Sequence, residues 1–411
     1  MKIGIFSDCH LGFAQRTKRE KDALNAAQQA MQICMDEKAD LILLAGDLFD
    51  YNVPSQETWH DAFKLYSMPK HLPKSEVKIK KIKSNEEINF QGIPIASIHG
   101  THEYRAKEYT NALQILEKAG ALIYFHAESL EIQKGNEKVF IHGLGGIPEK
   151  KALDALRLWN PEPVKGALNI LVLHQSIKEF LPTEDPMAVT ISLADLPKGF
   201  DLYVNGHLHW RSVTDVHEGK FLLTGATITT QMKRLEAESE KGATFYDTQT
   251  KEMSFKKISI HRQLFYFKLK FENASIEEIK KQVREKIGFS LKENKQSLEP
   301  LIRIKLAGSL EKGLHQSNID LSDLMNEFEG KAFFSIDKNF FSDSFKTKIN
   351  DLREMLKEKK SVSQLGLELL EKNLNETNFG NAFDYKRIFD LLSEGEKEKA
   401  LEELTAQKYK K

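Results

Sequence analysis

Five short segments carry ligand-type side chains along the first half of this chain, and four of them directly follow a short apolar run. They are Asp8-Cys9-His10, Gly46-Asp47-Leu48-Phe49-Asp50, Gly100-Thr101-His102-Glu103, His174 after Asn169-Ile170-Leu171-Val172-Leu173, and Gly206-His207-Leu208-His209. A short apolar run bounded by polar residues reads as a buried strand. Successive strands that end in such side chains constrain the fold, because their carboxyl ends must share one edge. Open α/β sheets place their chemistry at that edge. Carboxylate and imidazole donors suit a divalent metal of hard to borderline character, so the pattern predicts a dinuclear metal site.

Strands and helices alternate over residues 1 to about 260. Ile3–Ser7, Ala39–Ala45, Ile93–Ile98, Leu122–Tyr124, Val139–Leu144, Leu168–Leu173, Leu202–Asn205, Phe221–Leu223 and Ala243–Tyr246 read as strands. Lys21–Asp36, Trp59–Tyr66 and Thr110–Lys118 have helical apolar spacing. The order suggests a layered α/β sandwich, two sheets flanked by helices. The lysine-rich stretch Lys74–Lys83 reads as a solvated strand or loop, with a phosphate-contacting face as the alternative. Past residue 260 the texture changes. Leu264–Phe271 alternates as a half-buried strand, Ser275-Ile276-Glu277-Glu278 is a capping box, and Leu301–Leu306 returns as a strand. Residues 261–345 are therefore expected to form a small α+β cap. From 346 to 411 the chain is charged and helical in pattern, with one apolar run holding Leu367, Leu370 and Leu374 and another holding Tyr385, Ile388 and Leu392. A tail this short has no core of its own, and its apolar faces suit binding into a partner's groove.

Composition narrows the function classes. The chain has 411 residues, with 60 basic and 60 acidic side chains. A nucleic acid must therefore be met by local basic patches rather than by a global field. Its two cysteines, Cys9 and Cys34, argue against a disulfide framework or a cysteine metal site and fit a reducing compartment. Cys9 stands between two candidate ligands, but the plainer reading is a small buried space-filler. No apolar run approaches the roughly 18 residues of a membrane span. The apolar strand at Met1–Phe6 leads straight into the first motif, and a cytoplasmic protein without a leader is expected.

Asp8 and His10 alternate along a strand end, so both are expected on one face. His207 and His209, two residues apart, are likewise expected to project to one side. Asp47 can bridge two ions, with Asp50 as a supporting partner. As an ordered set these segments resemble the calcineurin-like metallophosphoesterase superfamily, whose signature is D-x-H, G-D-x-x-D, G-N-H-[DE], a later H, and G-H-x-H. The resemblance covers residues 1 to about 260 and implies a four-layer α/β/β/α sandwich. It implies that Asp8, His10, Asp47 and His209 hold one metal. Asp47, Thr101, His174 and His207 would hold the second, and His102 would face the scissile phosphate. Thr101 departs from the signature, which has asparagine there, and a hydroxyl is the poorer ligand.

Within the superfamily the whole chain resembles one branch best, the nuclease subunit of the double-strand-break repair complex, in its archaeal-type form. Asp47-Leu48-Phe49-Asp50 before Pro54-Ser55, Ile141-His142-Gly143-Leu144, Gly206-His207-Leu208-His209 and Thr224-Gly225-Ala226-Thr227 carry that resemblance. Tyr51-Asn52 after the second motif argues against the serine/threonine phosphatases, which have Arg-Gly there. The resemblance implies a DNA exonuclease or endonuclease using two divalent ions, best manganese, DNA-associated, homodimeric, and bound through its tail to a coiled-coil ABC ATPase. The competing readings are a small-molecule phosphodiesterase or nucleotide pyrophosphatase on the same scaffold, and a scaffold with weakened catalysis.

Overall fold

The computed structural model describes residues 1–105, 109–181, 190–340, 384–393 and 397–406, with a few single positions between 366 and 374. Leu367, Leu370 and Leu374 of the tail's first apolar run fall on described helical positions, while most of the residues around them lie outside. Of Ser393-Glu394-Gly395-Glu396, a sequence that can cap a final helix, residues 394–396 lie outside as well. No helix among the described residues is long and apolar enough to cross a membrane.

In chain order the elements are β1 (Lys2–Phe6), α1 (Asp22–Asp36), β2 (Leu41–Ala45), α2 (Gln56–Ser67), β3 (Lys78–Lys81), β4 (Glu86–Ile88), β5 (Ile95–Ile98), α3 (Ala112–Lys118), β6 (Ile123–Tyr124), β7 (Glu128–Lys134), β8 (Glu137–Leu144), α4 (Glu149–Trp159), β9 (Leu168–Leu173), β10 (Leu202–Asn205), β11 (Ser212–Val216), β12 (Gly219–Leu223), α5 (Arg234–Ala237), β13 (Gly242–Asp247) and β14 (Met253–Lys257). One sheet has the order β14-β13-β1-β2-β5-β6 and the other β11-β12-β10-β9-β8-β7-β3-β4. All five residues of β2 are buried, as expected of a central strand covered on both faces.

Alternate side chains of these strands enter different cores. Ile3, Ile5, Leu41 and Leu43 of the first sheet meet Ile141, Ile170, Val172 and Val204 of the second, forming the core between the sheets. On the outer face of the first sheet, Phe6, Ile42 and Leu44 pack with Ala27, Met31 and Cys34 of α1 and with Leu65 of α2 and Leu113 of α3. On the outer face of the second, Leu171, Leu173, Tyr203 and Phe221 pack with Ala152 and Leu156 of α4. The result is the α/β/β/α layering expected from the sequence. Local caps agree with it: the Ser55 hydroxyl accepts from Thr58 N at the start of α2, and Asn111 with Gln114 forms a capping box on α3.

In these two sheets the strands that the apolar pattern did not indicate are β4, β7, β11 and β14, all carrying polar or charged residues on a solvated face. The lysine-rich stretch is strand β3, paired with β7 and β4 near one edge of the second sheet. Helix α4 was also missed, because only Ala152 and Leu156 of it are buried.

Strands β15 (Leu264–Ala274), β16 (Leu301–Leu310) and β17 (Phe333–Phe340) form a third sheet in that order, accompanied by α6 (Ile276–Glu293) and α7 (Ser322–Glu327). The chain divides into two compact units. One is Met1–Lys268 with Lys280–Lys305 and Leu321–Asp337, and the other is Leu269–Ile279, Leu306–Asp320 and Lys338–Lys411. In the second unit α8 (Tyr385–Ser393) and α9 (Lys397–Ala406) pair, with Arg387 Nε donating to both oxygens of Glu403 at 2.7 and 2.8 Å.

Candidate metal centre

Each ligand-type segment lies just past the carboxyl end of a strand. Asp8 and His10 follow β1, Asp47 follows β2, and Thr101 and His102 follow β5, three parallel neighbours in the first sheet. His174 follows β9 and His207 and His209 follow β10, parallel neighbours in the second. The two sets meet across the sheets. His174 Nδ1 donates to Ala45 O at 2.6 Å, and His207 N donates to Asp8 Oδ1 at 3.1 Å.

The backbone at the site differs from simple strand alternation. β1 ends at Phe6, and beyond it Asp8 and His10 hold φ of 52° and 48°. Asp47 and His207 hold φ of 49° and 75°. These are left-handed values that cost L-residues energy and collect at functional sites. Asp8 N and His10 N donate to Gly46 O and Asp47 O, so the first and second motifs run side by side. Asp8 and His10 still meet, through this turn. His207 and His209 do not project to one side: the turn at His207 sends it to Asp47 and His174, while His209 joins Asp8 and His10.

Three groups with metal-ligand geometry result among the described residues: Asp8–His10–His209, Asp47–His174–His207, and a more exposed one, His10–Asp50–His102, that shares His10 with the first. The two buried clusters are the candidate metal sites. A carbonyl can only accept, so the bond to Ala45 O keeps the His174 proton on Nδ1. Its Nε2 is buried without a hydrogen-bond partner, 3.1 Å from Asp47 Oδ2. In the other cluster the Asp50 carboxylate accepts from His10 Nδ1 at 3.0 Å, and Thr230 Oγ1 lies 2.8 Å from His209 Nδ1. That leaves the two Nε2 atoms facing each other at 3.1 Å. Adjacent ligands of an octahedral ion with bonds of ~2.1 Å stand about 3 Å apart, so both clusters fit a divalent cation.

The electrostatics agree. Burial would raise the Asp47 carboxyl, but His174, His10 and His102 hold it well below the usual range. Burial would lower His174, but Asp47 and Asp8 push it up to about 10. Burial, with His174 alongside, pushes His207 down to about 3, leaving a neutral imidazole suited to ligation. A proton on His174 thus offsets the charge of the Asp47 carboxylate, a role that a metal ion can take over, while burial pushes the Asp8 carboxyl up.

The model for calcineurin-like phosphoesterases matches residues 1–211. The DNA double-strand break repair protein Mre11 of Sulfurisphaera tokodaii is 30% identical over 68% of this chain and 68% of its own length. The Mre11 of Sulfolobus acidocaldarius is 29% identical over 75% of this chain and 76% of its own, and human MRE11 is 26% identical over 64% and 42%. The chain is an archaeal-type Mre11-family calcineurin-like phosphoesterase. Proteins of this superfamily are metal-dependent phosphoesterases and bind divalent metals, which accords with the two clusters.

Two residues of the third motif stand around Asp47. Thr101 Oγ1 lies 3.5 Å from both Asp47 Oδ2 and His207 Nδ1. His102 is exposed, with Nδ1 donating to Asp50 O at 2.7 Å and Nε2 4.0 Å from Asp47 Oδ2. Asp50 thereby touches both His10 and His102. Cys9 is wholly buried and burial pushes its thiol up, in keeping with a space-filler.

Glu103 is the part of the motif to which the sequence assigned no role. Its buried carboxylate accepts from Gly100 N at 2.6 Å, Phe49 N at 2.7 Å and Asp47 N at 3.2 Å, clamping the second motif to the third. Burial, then Asp47, pushes this carboxyl up to about 7 against the pull of those donors. Glu236 and Lys241, which stand behind His209, were missed as well. They belong to no ligand-like segment, so nothing in the sequence pointed to them.

A Cβ on Gly100 would overlap the Asp47 side chain and backbone nitrogen. Gly100→Ala is expected to lower stability by about 1–3 kcal/mol and to weaken metal binding with it. Urea unfolding beside a manganese titration checks this, and wild-type values in both would remove Gly100 from the site's construction.

Proposed function

We propose that this chain is a manganese-dependent DNA nuclease, exo- or endonucleolytic, that hydrolyses phosphodiester bonds in double-strand-break processing. The observation that carries the reading is the position of Asp47, grouped with His174 and His207 and accepting from His10 N of the neighbouring cluster through its backbone oxygen, with His102 open to solvent beside it. Asp8, His10, Asp47 and His209 would hold one ion, and Asp47, Thr101, His174 and His207 the other. Two such ions, when bound, offset charge on a phosphate and activate water. The chain's own part is to hold those ligands, to keep His174 protonated only at Nδ1 when it ligates, and to present His102. With Nδ1 tied to Asp50 O, the His102 ring offers Nε2 toward the substrate. A proton on that nitrogen can pass to the leaving sugar oxygen.

In this reading residues 1–260 are the nuclease domain, 261–345 a capping and DNA-contacting domain, and 346–411 a partner-binding tail. The partner is a coiled-coil ABC ATPase, and the nuclease is a DNA-associated cytoplasmic homodimer. Helix α8 supports the tail's role: Ile388 is buried while Leu392 is 53% exposed, an apolar stripe only partly covered. The small-molecule phosphodiesterase reading is separated by substrate, since it requires efficient cleavage of bis-p-nitrophenyl phosphate and none of a DNA oligonucleotide.

His102→Ala is expected to leave manganese binding near wild type and to cut DNA cleavage by about 10²–10⁴-fold. Near-native turnover in that variant would remove His102 from the chemistry. Thr101→Asn offers an amide oxygen in place of the hydroxyl, and the expected result is a lower manganese concentration for half-maximal activity. An unchanged or higher requirement would mean that Thr101 already serves the second site. Truncation after Lys346 is expected to keep hydrolysis of the small phosphodiester and to abolish co-purification with the ATPase, and retained complex formation would contradict the tail's assignment.

A further inference from the structure

Behind His209 lies a closed ring of polar groups, buried apart from the half-buried Thr230, whose other members the metal-ligand motifs do not include. His209 Nδ1 meets Thr230 Oγ1 at 2.8 Å. Thr230 N donates to Glu236 Oε1 at 3.0 Å. That oxygen is 3.4 Å from Lys241 Nζ, and Lys241 Nζ donates to His209 O at 3.1 Å, which closes the ring. Gln231 N donates to the other oxygen of Glu236 at 3.2 Å. From the far side Arg19 Nη2 donates to Thr229 O at 2.6 Å. Glu236 and Lys241 are 2% and 4% exposed, so both charges are withdrawn from water.

A buried ion pair is a poor source of stability. Apolar side chains of similar volume often serve a fold as well or better, because desolvation offsets the attraction. The contacts of this pair show what it does instead. Each charged group spends its hydrogen bonds on His209 or on the strand of backbone that carries the partner of His209. The Glu236 carboxylate is also 3.7 Å from His209 Nδ1, which favours the proton on that nitrogen and leaves Nε2 as the ligand atom. Asp8 and His10, the other members of the same cluster, meet the ring at His209, with His10 Nε2 3.1 Å and Asp8 Oδ1 3.7 Å from His209 Nε2.

We infer that Thr230, Glu236 and Lys241 are positioning residues for His209 and set the affinity of one of the two metal sites, that of Asp8, His10 and His209, without setting the other. The inference rests on the proposed ligand role of His209. Glu236 lies in α5 and Lys241 just before β13, so this site depends on a part of the chain remote in sequence from its own ligands.

The test is manganese titration of the full chain by calorimetry, with a thermal melt for fold. Wild type is expected to bind two ions, and His209→Ala to lose one. Glu236→Gln combined with Lys241→Met removes both charges together and leaves neither buried alone. Thr230→Val removes only the partner of His209 Nδ1 and no charge. Each variant is expected to lose about ten- to hundredfold in affinity at one site while the other stays at its wild-type value. DNA cleavage should return at high manganese. If the charge-free pair fails to fold, Thr230→Val decides alone. Wild-type affinity at both sites in a folded variant, or an equal fall at both, would overturn the inference. Loss of neither ion in His209→Ala would instead overturn the ligand assignment beneath it.

Discussion

The site is organised around one buried carboxylate. Asp47 is 1% exposed, in left-handed backbone, with His174 Nε2 at 3.1 Å from its Oδ2 and His102 N donating to its Oδ1 at 2.8 Å. Around it stand Asp8, His10, His207 and His209, so two carboxylates and four imidazoles share a space closed off from most water. Such a cluster is costly unless its charges compensate. Protons on the histidines can do this in part, and divalent cations can do it fully. The same requirement explains the strained turns. Left-handed backbone at Asp8, His10, Asp47 and His207 costs of order 1–3 kcal/mol each, and it persists because the strands that precede these turns are fixed by three packed cores.

Glu103 shows how the turns are held. Its carboxylate takes three backbone N–H donors from two motifs that are about 50 residues apart, the job a capping side chain does within one turn. Gly100 allows the close approach, since any Cβ there would collide with Asp47. The third motif is therefore as much a brace for Asp47 as a source of groups for the reaction. Thr101 fits this view: it faces Asp47 and His207 at 3.5 Å, where a longer amide would reach further toward them.

Much of this was readable in the sequence, for a physical reason. The central strands β1, β2, β5, β9 and β10 are buried on both faces and so appear as apolar runs, and each ends where a ligand begins. What the sequence hid follows from the same logic. Strands β4, β7, β11 and β14 are partly solvated and carry Glu, Lys and Ser, which erases the apolar signal. Period-two reasoning put His207 and His209 on one side, because a positive φ at His207 cannot be seen in residue spacing. The ring behind His209 was invisible because Glu236 and Lys241 look like ordinary surface residues, and only the fold buries them.

The central claim is that Asp47 joins two metal sites into one dinuclear centre. Electron paramagnetic resonance of the wild-type chain during manganese titration tests it most directly. The account predicts two ions bound per chain, with the six-line signal of isolated manganese giving way to an exchange-coupled spectrum as the second ion enters. Saturation at one ion, or two ions whose spectra stay uncoupled throughout, would contradict it.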